Sequence, residues 1–262
     1  MSFHEHIDRA LLQLEQDGIL RQPHWSAGPQ APELHLQGRN VLGFCSNDYL
    51  GLASDPRLVA ATRRALDHTG VGSGASRHIS GTHAVHREAE SALAAHVRLP
   101  AALLFSTGYA ANVGAIPALM GPSDVIFSDA LNHASLIDGC RLSRARTLVY
   151  RHSDPEHLAQ LLRDHRPRYQ NALVVTESLF SMDGDEAPLA ELRDLADRHA
   201  SGLMVDEAHA LGIFGPDGGG LAQEVGITPD LLVGTLGKAF GCAGAFVAAS
   251  AATVRMIENR AR

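Results

Sequence analysis

From Leu99 onward, short apolar runs alternate with longer segments of mixed polarity, and this alternation constrains the fold more than any other feature. The apolar runs have the length of buried strands. They are residues 101–105, 125–127, 147–150, 172–176, 203–205, 231–233 and 245–249. Segments 110–120, 155–165 and 188–199 have the length of crossover helices, and Pro155 and Pro188 suit first helical turns. The pattern predicts an α/β fold with a mostly parallel sheet flanked by helices.

The amino-terminal part lacks this alternation. Residues 2–20 place apolar side chains, among them Leu11 and Leu14, at helical spacing, and Pro23 and Pro29 follow. We therefore expect residues 1–45 to form an amino-terminal helical arm and a first strand, and residues 46–262 to form one large domain.

Composition excludes several classes of protein. A net charge of −7 without clustered Lys and Arg argues against a nucleic-acid partner. Cys45, Cys140 and Cys242 lie far apart, which argues against a disulfide framework or a zinc knuckle and fits a reducing cytoplasm. No run is long and apolar enough to span a bilayer, and no targeting segment stands at the amino terminus. We expect a soluble cytoplasmic protein with no membrane partner.

Lys238 is the first candidate for chemistry, because it stands in the small-residue stretch Gly234-Thr235-Leu236-Gly237-Lys238-Ala239. An amine that forms a Schiff base with a flat aldehyde needs such room beside it. Asp206 ends the apolar run 203–205 and is suited to keep a pyridine nitrogen protonated, and His209 is suited to reach the ring hydroxyl. Together they point to pyridoxal phosphate, although Asp206 taken alone is also an ordinary strand-end cap.

The stretch Asp206-Glu207-Ala208-His209 also has the letters of a helicase box, which would bind Mg²⁺ and hydrolyse ATP. That function requires a P-loop earlier in the chain, but the Gly237-Lys238 pair follows the box and precedes Ala239 rather than Ser or Thr. Gly72-x-Gly74 likewise lacks the third glycine of a dinucleotide fingerprint. Nucleotide hydrolysis and dinucleotide binding are therefore disfavoured.

Three further strand ends carry polar groups, as ligand sites in parallel sheets do. The turn at 106–112 opens a helix whose free N–H groups suit a phosphate, or it is a plain strand-to-helix turn. His133 follows 125–127 and, as one of 15 histidines, is equally a helix cap or a core residue. The acidic loop 177–185 completes no Mg²⁺ or Ca²⁺ pattern, so we expect no metal site.

Taken in order, these stretches resemble the α-oxoamine synthases, pyridoxal phosphate enzymes of fold type I that join an amino acid to an acyl-CoA with loss of carbon dioxide. The resemblance runs from Arg21 to about Ser250. It rests on Ser46-Asn47-Asp48-Tyr49-Leu50-Gly51, Gly72-Ser73-Gly74, Ser80-Gly81-Thr82, Thr107-Gly108-Tyr109 with Asn112, Asn132-His133-Ala134-Ser135, Ser181-Met182-Asp183-Gly184, Asp206-Glu207-Ala208-His209 and Gly234-Thr235-Leu236-Gly237-Lys238.

The resemblance implies a role for individual residues. Lys238 would carry the cofactor and then act as the base at Cα, and His133 would stack on the pyridine ring. Asp206 would pair with the ring nitrogen and His209 with the phenolic oxygen. The remaining expected contacts are Gly108, Tyr109 and Thr235 at the phosphate, Ser181 along the cofactor, and Arg21 and Asn47 near the substrate carboxylate.

Within the family, residues 131–139 and 183–189 are most similar to the members that condense L-alanine with pimeloyl-CoA, or with a pimeloyl carrier protein, in biotin biosynthesis. Residues 237–242 also resemble 5-aminolevulinate synthase, and 132–135 resemble 2-amino-3-ketobutyrate CoA ligase, both of which use glycine. Family members are homodimers with a small carboxyl-terminal domain that we expect to be absent from this chain. An inactive cofactor-binding or partner-binding remnant is the other alternative.

Overall fold

The computed structural model describes residues 1–261, which form two compact units. The first unit is Met1–Cys45, and the second runs from Ser46 to the end of the described chain. None of the helices in residues 1–261 is long and apolar enough to cross a membrane.

The first unit consists of one helix and a small sheet. Helix α1 spans Phe3–Gln16 and begins with a capping box, in which Ser2 and Glu5 each accept a hydrogen bond from the other's backbone N–H. Three short antiparallel strands follow in the order β1-β2-β3: β1 (Ser26–Ala27), β2 (Glu33–Leu36) and β3 (Arg39–Leu42). The sequence predicts a single strand here, because strands of two to four mostly exposed residues leave little apolar alternation to detect.

The second unit contains seven strands and eight helices within the described residues. The strands are β4 (Ala101–Phe105), β5 (Val125–Asp129), β6 (Arg146–Tyr150), β7 (Ala172–Glu177), β8 (Gly202–Asp206), β9 (Leu231–Thr235) and β10 (Ala245–Ala249). The helices are α2 (Pro56–Thr69), α3 (Ala84–His96), α4 (Gly108–Leu119), α5 (Ala134–Ser143), α6 (Pro155–His165), α7 (Leu189–Arg198), α8 (Leu221–Glu224) and α9 (Ala251–Arg260).

All seven strands belong to one sheet in the order β4-β10-β9-β8-β7-β5-β6. Strands β9, β8, β7, β5 and β6 are parallel neighbours, whereas β10 is antiparallel to both β4 and β9. The carboxyl ends of the parallel strands therefore meet at one edge of the sheet. The α/β prediction with a mostly parallel sheet is confirmed.

Both faces of the sheet are covered, which explains why its strands are continuous apolar runs. Alternate residues of β5 point to opposite faces: Ile126 packs in one buried cluster, and Val125 and Phe127 pack in another. The first cluster includes residues of α4, α5 and α9, and the second includes residues of α6 and α7. A third cluster joins α3 to β4 and β10.

Strands lie where the sequence predicts them, and the helix boundaries agree to within two residues. Pro155 is the first residue of α6, as predicted, but Pro188 is the N-cap of α7 rather than a first-turn residue. Helices α2, α3, α5, α8 and α9 are not among the three predicted helical segments. Helices α2, α3 and α9 lie outside the alternation of residues 101–249, whereas α5 and α8 lie within it.

Helices α4 and α5 approach each other closely at Gly139. A Cβ atom added to Gly139 would lie 2.9 Å from the carbonyl oxygen of Asn112 and 2.9 Å from Cδ1 of Ile116. This close approach brings the side chain of Asn112 on α4 within hydrogen-bond distance of Ser135 on α5.

We predict that Gly139→Ala lowers the free energy of unfolding by roughly 1–3 kcal/mol, because the added methyl group forces the two helices apart. Helix propensity alone would stabilise the variant by about 1 kcal/mol, so the sign of the effect tests the close approach. Gly121→Ala is the matched control, since its Cβ would meet only Asp124 Oδ2 at 3.9 Å. The midpoint of urea unfolding measures both variants, and equal or higher stability of Gly139→Ala would contradict the prediction.

Candidate active site

Polar side chains converge at the edge of the sheet where the parallel strands end. Asp206 ends β8, Glu177 ends β7 and Thr235 ends β9. These three residues line a cavity of about 200 Å³. The other lining residues are Gly108, Tyr109, Asn112, His133, Ser135, Ala208, His209 and Lys238.

Asp206 lies at the inner end of the cavity and is 6% exposed. Its Oδ2 accepts a hydrogen bond from Nδ2 of Asn112 at 2.8 Å, and its Oδ1 accepts one from the backbone N–H of Ala208 at 2.9 Å. Asn112 Nδ2 also donates to Oγ of Ser135 at 2.9 Å. The carboxyl group is therefore held in one orientation by groups from α4 and from its own chain.

Lys238 and His209 meet in the same cavity, with 2.7 Å between Nζ and Nε2. Burial lowers the pKa of Lys238, against the opposing charges of Asp206 and Glu177. Burial, and then the charges of Lys238 and His133, lower the pKa of His209 to about 4. At neutral pH His209 is thus an uncharged imidazole beside an amine that gives up its proton more readily than an exposed lysine does.

Lys238 is also the only lysine in the sequence, against 21 arginines. A chain that otherwise uses arginine throughout retains lysine at the one position where an amine lies in the cavity. This compositional signal would have identified Lys238 without reference to its neighbours.

Tyr49 adds a further hydrogen bond to the pair formed by Lys238 and His209. Its hydroxyl lies 2.8 Å from Nδ1 of His209, and it donates a hydrogen bond to Oδ1 of Asn47 at 3.2 Å. Burial raises the pKa of Tyr49. A continuous line of hydrogen-bonded groups therefore runs from Lys238 through His209 and Tyr49 to Asn47, which is exposed.

His133 begins α5 as its N-cap, and its Nδ1 accepts from the backbone N–H of Ser135 at 3.2 Å. Its own backbone N–H donates to Oε1 of Glu177 at 2.7 Å. The helix-cap alternative is thus correct for the local geometry, yet the exposed imidazole also lines the cavity.

Glu177 brings a second buried carboxyl group close to Asp206, because the two residues are register partners in the parallel strands β7 and β8. Glu177 is 5% exposed. Burial, followed by the charge of Asp206, raises the pKa of Glu177 to about 7. The end of the cavity thus holds two carboxyl groups, one of which titrates near neutral pH.

The turn before α4 has the geometry of an anion site. Thr107 caps the helix by accepting from the N–H of Ala110, and the first helical residues, Gly108 and Tyr109, have no intrahelical acceptor for their N–H groups. A Cβ on Gly108 would lie 4.0 Å from Cβ of Thr235, so the turn and the end of β9 are adjacent. Backbone N–H groups and a hydroxyl are suitable partners for a phosphate.

Two predicted site residues of the second unit, Asn47 and Ser181, are not among the residues that line this cavity. Ser181 is exposed on the loop after β7 and is not among the residues that line the cavity. The same loop is fixed through Asp185, whose Oδ2 lies 2.6 Å from Nε2 of His152, while Nδ1 of His152 lies 2.8 Å from Oδ1 of Asp129. Arg21 is an exposed residue of the first unit.

Sequence reasoning gave no role to Tyr49, Asn112, Ser135 or Glu177. Tyr49 and Ser135 stand within stretches that carried the family resemblance, but their partners are 160 and 23 residues away along the chain. Glu177 could have been singled out, because it directly follows the predicted strand 172–176, as Asp206 follows 203–205. Glu207, which follows Asp206 in the helicase-like box, is fully buried and does not line the cavity. It accepts hydrogen bonds from Ser178, Leu221 and Ala222.

Comparison with known proteins agrees with this geometry. Residues 39–262 match the family described as aminotransferase class I and II, so the chain belongs to that family. Its relatives within the family are α-oxoamine synthases. It is 52% identical over 258 residues to an 8-amino-7-oxononanoate synthase of Anaeromyxobacter sp. (strain Fw109-5), an alignment that covers 98% of this chain and 64% of that protein.

Two solved structures are similar in fold. A serine palmitoyltransferase from S. paucimobilis, solved with a PLP–myriocin adduct, has a TM-score of 0.90 and 33% identity, and the match covers 98% of this chain and 65% of that one. An 8-amino-7-oxononanoate synthase from Francisella tularensis has a TM-score of 0.70 and 31% identity, covering 82% of this chain and 60% of that one. The chain thus spans somewhat less than two thirds of the length of these relatives.

The raised pKa of Glu177 predicts a pH-dependent stability. Between about pH 4.5 and 7 the unfolded chain releases the Glu177 proton before the folded chain does, so the folded state loses stability as pH rises. Glu177→Gln removes this titration while keeping an oxygen for the N–H of His133. We expect the variant to gain roughly 1–3 kcal/mol over the wild type between pH 5 and pH 8.

Urea unfolding across this pH range measures the difference. Glu88→Gln, at an exposed position of α3, is the control and should follow the wild type at every pH. Parallel curves for the wild type and Glu177→Gln would show that Glu177 has no raised pKa.

Proposed function

We propose that the protein binds pyridoxal 5'-phosphate and catalyses the decarboxylating condensation of L-alanine with a pimeloyl thioester, pimeloyl-CoA or a pimeloyl carrier protein, to 8-amino-7-oxononanoate in biotin biosynthesis. The observation that carries the proposal is that the chain's only lysine lines the same cavity as a buried, doubly hydrogen-bonded aspartate.

The residues of the cavity fit this cofactor. Pyridoxal phosphate, when bound, supplies an aldehyde that condenses with amines and a protonated ring that accepts the electrons released at the adjacent carbon. The two ends of the group call for different partners, a cluster of N–H donors for the phosphate and a fixed carboxylate for the ring nitrogen. Gly108, Tyr109 and Thr235 supply the first, and Asp206 supplies the second.

Asp206 would hold a proton on a ring nitrogen, because Asn112 and the N–H of Ala208 already satisfy part of each oxygen and fix the carboxylate in place. His133 would lie against the ring, and its orientation is set by Ser135 and by the bond from its N–H to Glu177. Asn47 and Arg21 are the proposed substrate-binding residues, and Ser181 is proposed to contact the cofactor.

Lys238 would hold and release the proton of the substrate Cα. Partial burial lowers the pKa of its amine, which favours the unprotonated form that acts as a base. His209 lies 2.7 Å from the amine and limits its orientations. Thus one residue would serve first as the attachment point and then as the base.

Relatives named 8-amino-7-oxononanoate synthase, such as the Anaeromyxobacter protein at 52% identity, support alanine as the amino acid. Among the solved structures, identity does not separate the two activities, since serine palmitoyltransferases share 32–34% and an 8-amino-7-oxononanoate synthase shares 31%. Serine and glycine are the competing substrates.

We further propose that the protein is a homodimer. The exposed apolar side chains of α1, such as Phe3, Ile7 and Leu11, support this proposal. Three free cysteines support a cytoplasmic location.

Trapping the cofactor tests the binding proposal directly. Incubation with pyridoxal phosphate, borohydride reduction and peptide mapping should place the pyridoxyl group on Lys238. The chain's sole other aliphatic amine, the amino terminus, serves as an internal control in the same digest. Lys238→Arg should carry the pyridoxyl group only at the amino terminus. A wild-type protein that carries the group only at the amino terminus would contradict the proposal.

Exchange of the Cα hydrogen in D₂O tests the choice of amino acid. With pyridoxal phosphate present, we expect L-alanine to exchange at least about tenfold faster than glycine or L-serine, because a pocket shaped for one methyl group discriminates by this order. NMR of the recovered amino acid measures the rate, and Lys238→Ala gives the background of free cofactor. Faster exchange of glycine or serine would reassign the substrate.

A further inference from the structure

The line of contacts from Lys238 to Asn47 has a direction, because its two ends differ in chemistry. The contacts join Lys238 Nζ to His209 Nε2 at 2.7 Å, His209 Nδ1 to the Tyr49 hydroxyl at 2.8 Å, and that hydroxyl to Asn47 Oδ1 at 3.2 Å. An ammonium group has hydrogens to give and no lone pair, whereas an amide oxygen has lone pairs and no hydrogen. Every group between them must therefore accept from one side and donate to the other.

Counting hydrogens along this line assigns each of them. The imidazole of His209 is uncharged at neutral pH, since burial and nearby positive charge hold its pKa near 4, and it therefore carries one N–H. If Nε2 accepts from Lys238, the hydrogen is on Nδ1 and points to Tyr49. The hydroxyl of Tyr49 accepts it and keeps its own hydrogen for Asn47. Three contacts are then satisfied by three hydrogens.

The opposite tautomer leaves two of these contacts without a hydrogen bond. With the hydrogen on Nε2, the N–H of His209 would face the N–H groups of the Lys238 ammonium. Nδ1 would then accept the only hydroxyl hydrogen of Tyr49, so the hydrogen bond from Tyr49 to Asn47 would be lost. The arrangement of Asn47 and Tyr49 thus favours one tautomer of His209, whose ring nitrogens have Tyr49 and Lys238 as their hydrogen-bond partners.

We propose that Tyr49, oriented by Asn47, is a positioning residue that holds His209 as its Nδ1–H tautomer, so that Nε2 is a hydrogen-bond acceptor aimed into the cavity at Lys238. An accepting Nε2 suits any group with a hydrogen to give, which includes the lysine ammonium and the ring hydroxyl of the proposed cofactor. The consequence for turnover rests on the proposed function, whereas the tautomer is a property of the chain itself.

The charged and titratable groups around His209 and Lys238 are Tyr49, His133, Glu177 and Asp206. Asp206 and Glu177 act on Lys238 by charge, and His133 acts on His209. Among the hydrogen bonds of the described residues, Nδ1 of His209 has Tyr49 as its partner. Removal of the Tyr49 hydroxyl therefore removes the hydrogen-bond partner of Nδ1 without altering a second contact at that nitrogen, while Lys238 remains the donor to Nε2.

The test is ¹⁵N NMR of histidine-labelled protein at neutral pH without cofactor, with the signals of His209 assigned by their loss in His209→Gln. In the wild type we expect the ¹⁵N shift of a protonated nitrogen at Nδ1 and of an unprotonated nitrogen at Nε2. Lys238→Met removes the donor to Nε2, so the tautomer of His209 then depends on Tyr49 and Asn47, and we expect the hydrogen to stay on Nδ1. Adding Tyr49→Phe, which retains the aromatic ring, removes the acceptor at Nδ1, and in this double variant we expect the hydrogen to move to Nε2, so that the two shifts exchange. A Nε2–H tautomer in the wild type or in Lys238→Met, or an Nδ1–H tautomer that persists in the double variant, would overturn the proposal.

Tyr169→Phe, which removes the hydroxyl of a half-buried tyrosine in the second apolar cluster, is the matched control and should leave the His209 signals unchanged. The other 14 histidines report in the same spectra whether a variant is folded. The wild-type and Lys238→Met measurements decide the proposal even if the double variant fails to fold. Because no cofactor is present, an absent pyridoxyl adduct at Lys238 would refute the proposed function and leave the tautomer assignment standing.

Discussion

The candidate site depends on one interaction, the pair of hydrogen bonds that fixes the buried carboxyl group of Asp206 at the end of β8. A buried carboxyl group without partners is costly, so the surrounding elements must supply donors. Asn112 does so only because α4 lies close to the sheet and packs against α5 at Gly139. The same amide reaches Ser135, which in turn orients His133. The polar groups on one side of the cavity thus share a single packing contact between two helices.

Parallel strands explain why the remaining groups join them. Glu177, Asp206 and Thr235 end adjacent strands and are brought to one edge by the register of the sheet. A sheet buried on both faces cannot place charges within its strands, so its polar residues collect at the ends. The cost of this arrangement is the burial of Glu177 close to a second carboxyl group, and burial, followed by the charge of Asp206, raises the pKa of Glu177. The cavity therefore combines a desolvated amine, a neutral imidazole and a carboxyl group that titrates near neutral pH.

Much of the fold was predictable because strands and helices differ in apolar period. The seven strands of the large sheet were found from short apolar runs alone, and α6 was predicted with its correct first residue, Pro155. Helices α2 and α3 were missed, since they precede the run 101–105 with which the predicted alternation of strands and helices begins. Pro188 was placed one position too far into its helix, because the φ angle of proline suits both the N-cap and the first turn.

The sequence by itself determined the chemistry that is available: a single lysine among small residues, an aspartate after an apolar run, and a histidine three positions later. Each of these features is defined by residues that are neighbours in the sequence. Only the tertiary structure decided which groups touch, because those contacts join residues far apart in the chain. Asn112 meets Asp206 across 94 positions, and Tyr49 meets His209 across 160. No periodicity encodes such pairs, since they arise from the order of strands in the sheet and from the close approach of α4 and α5.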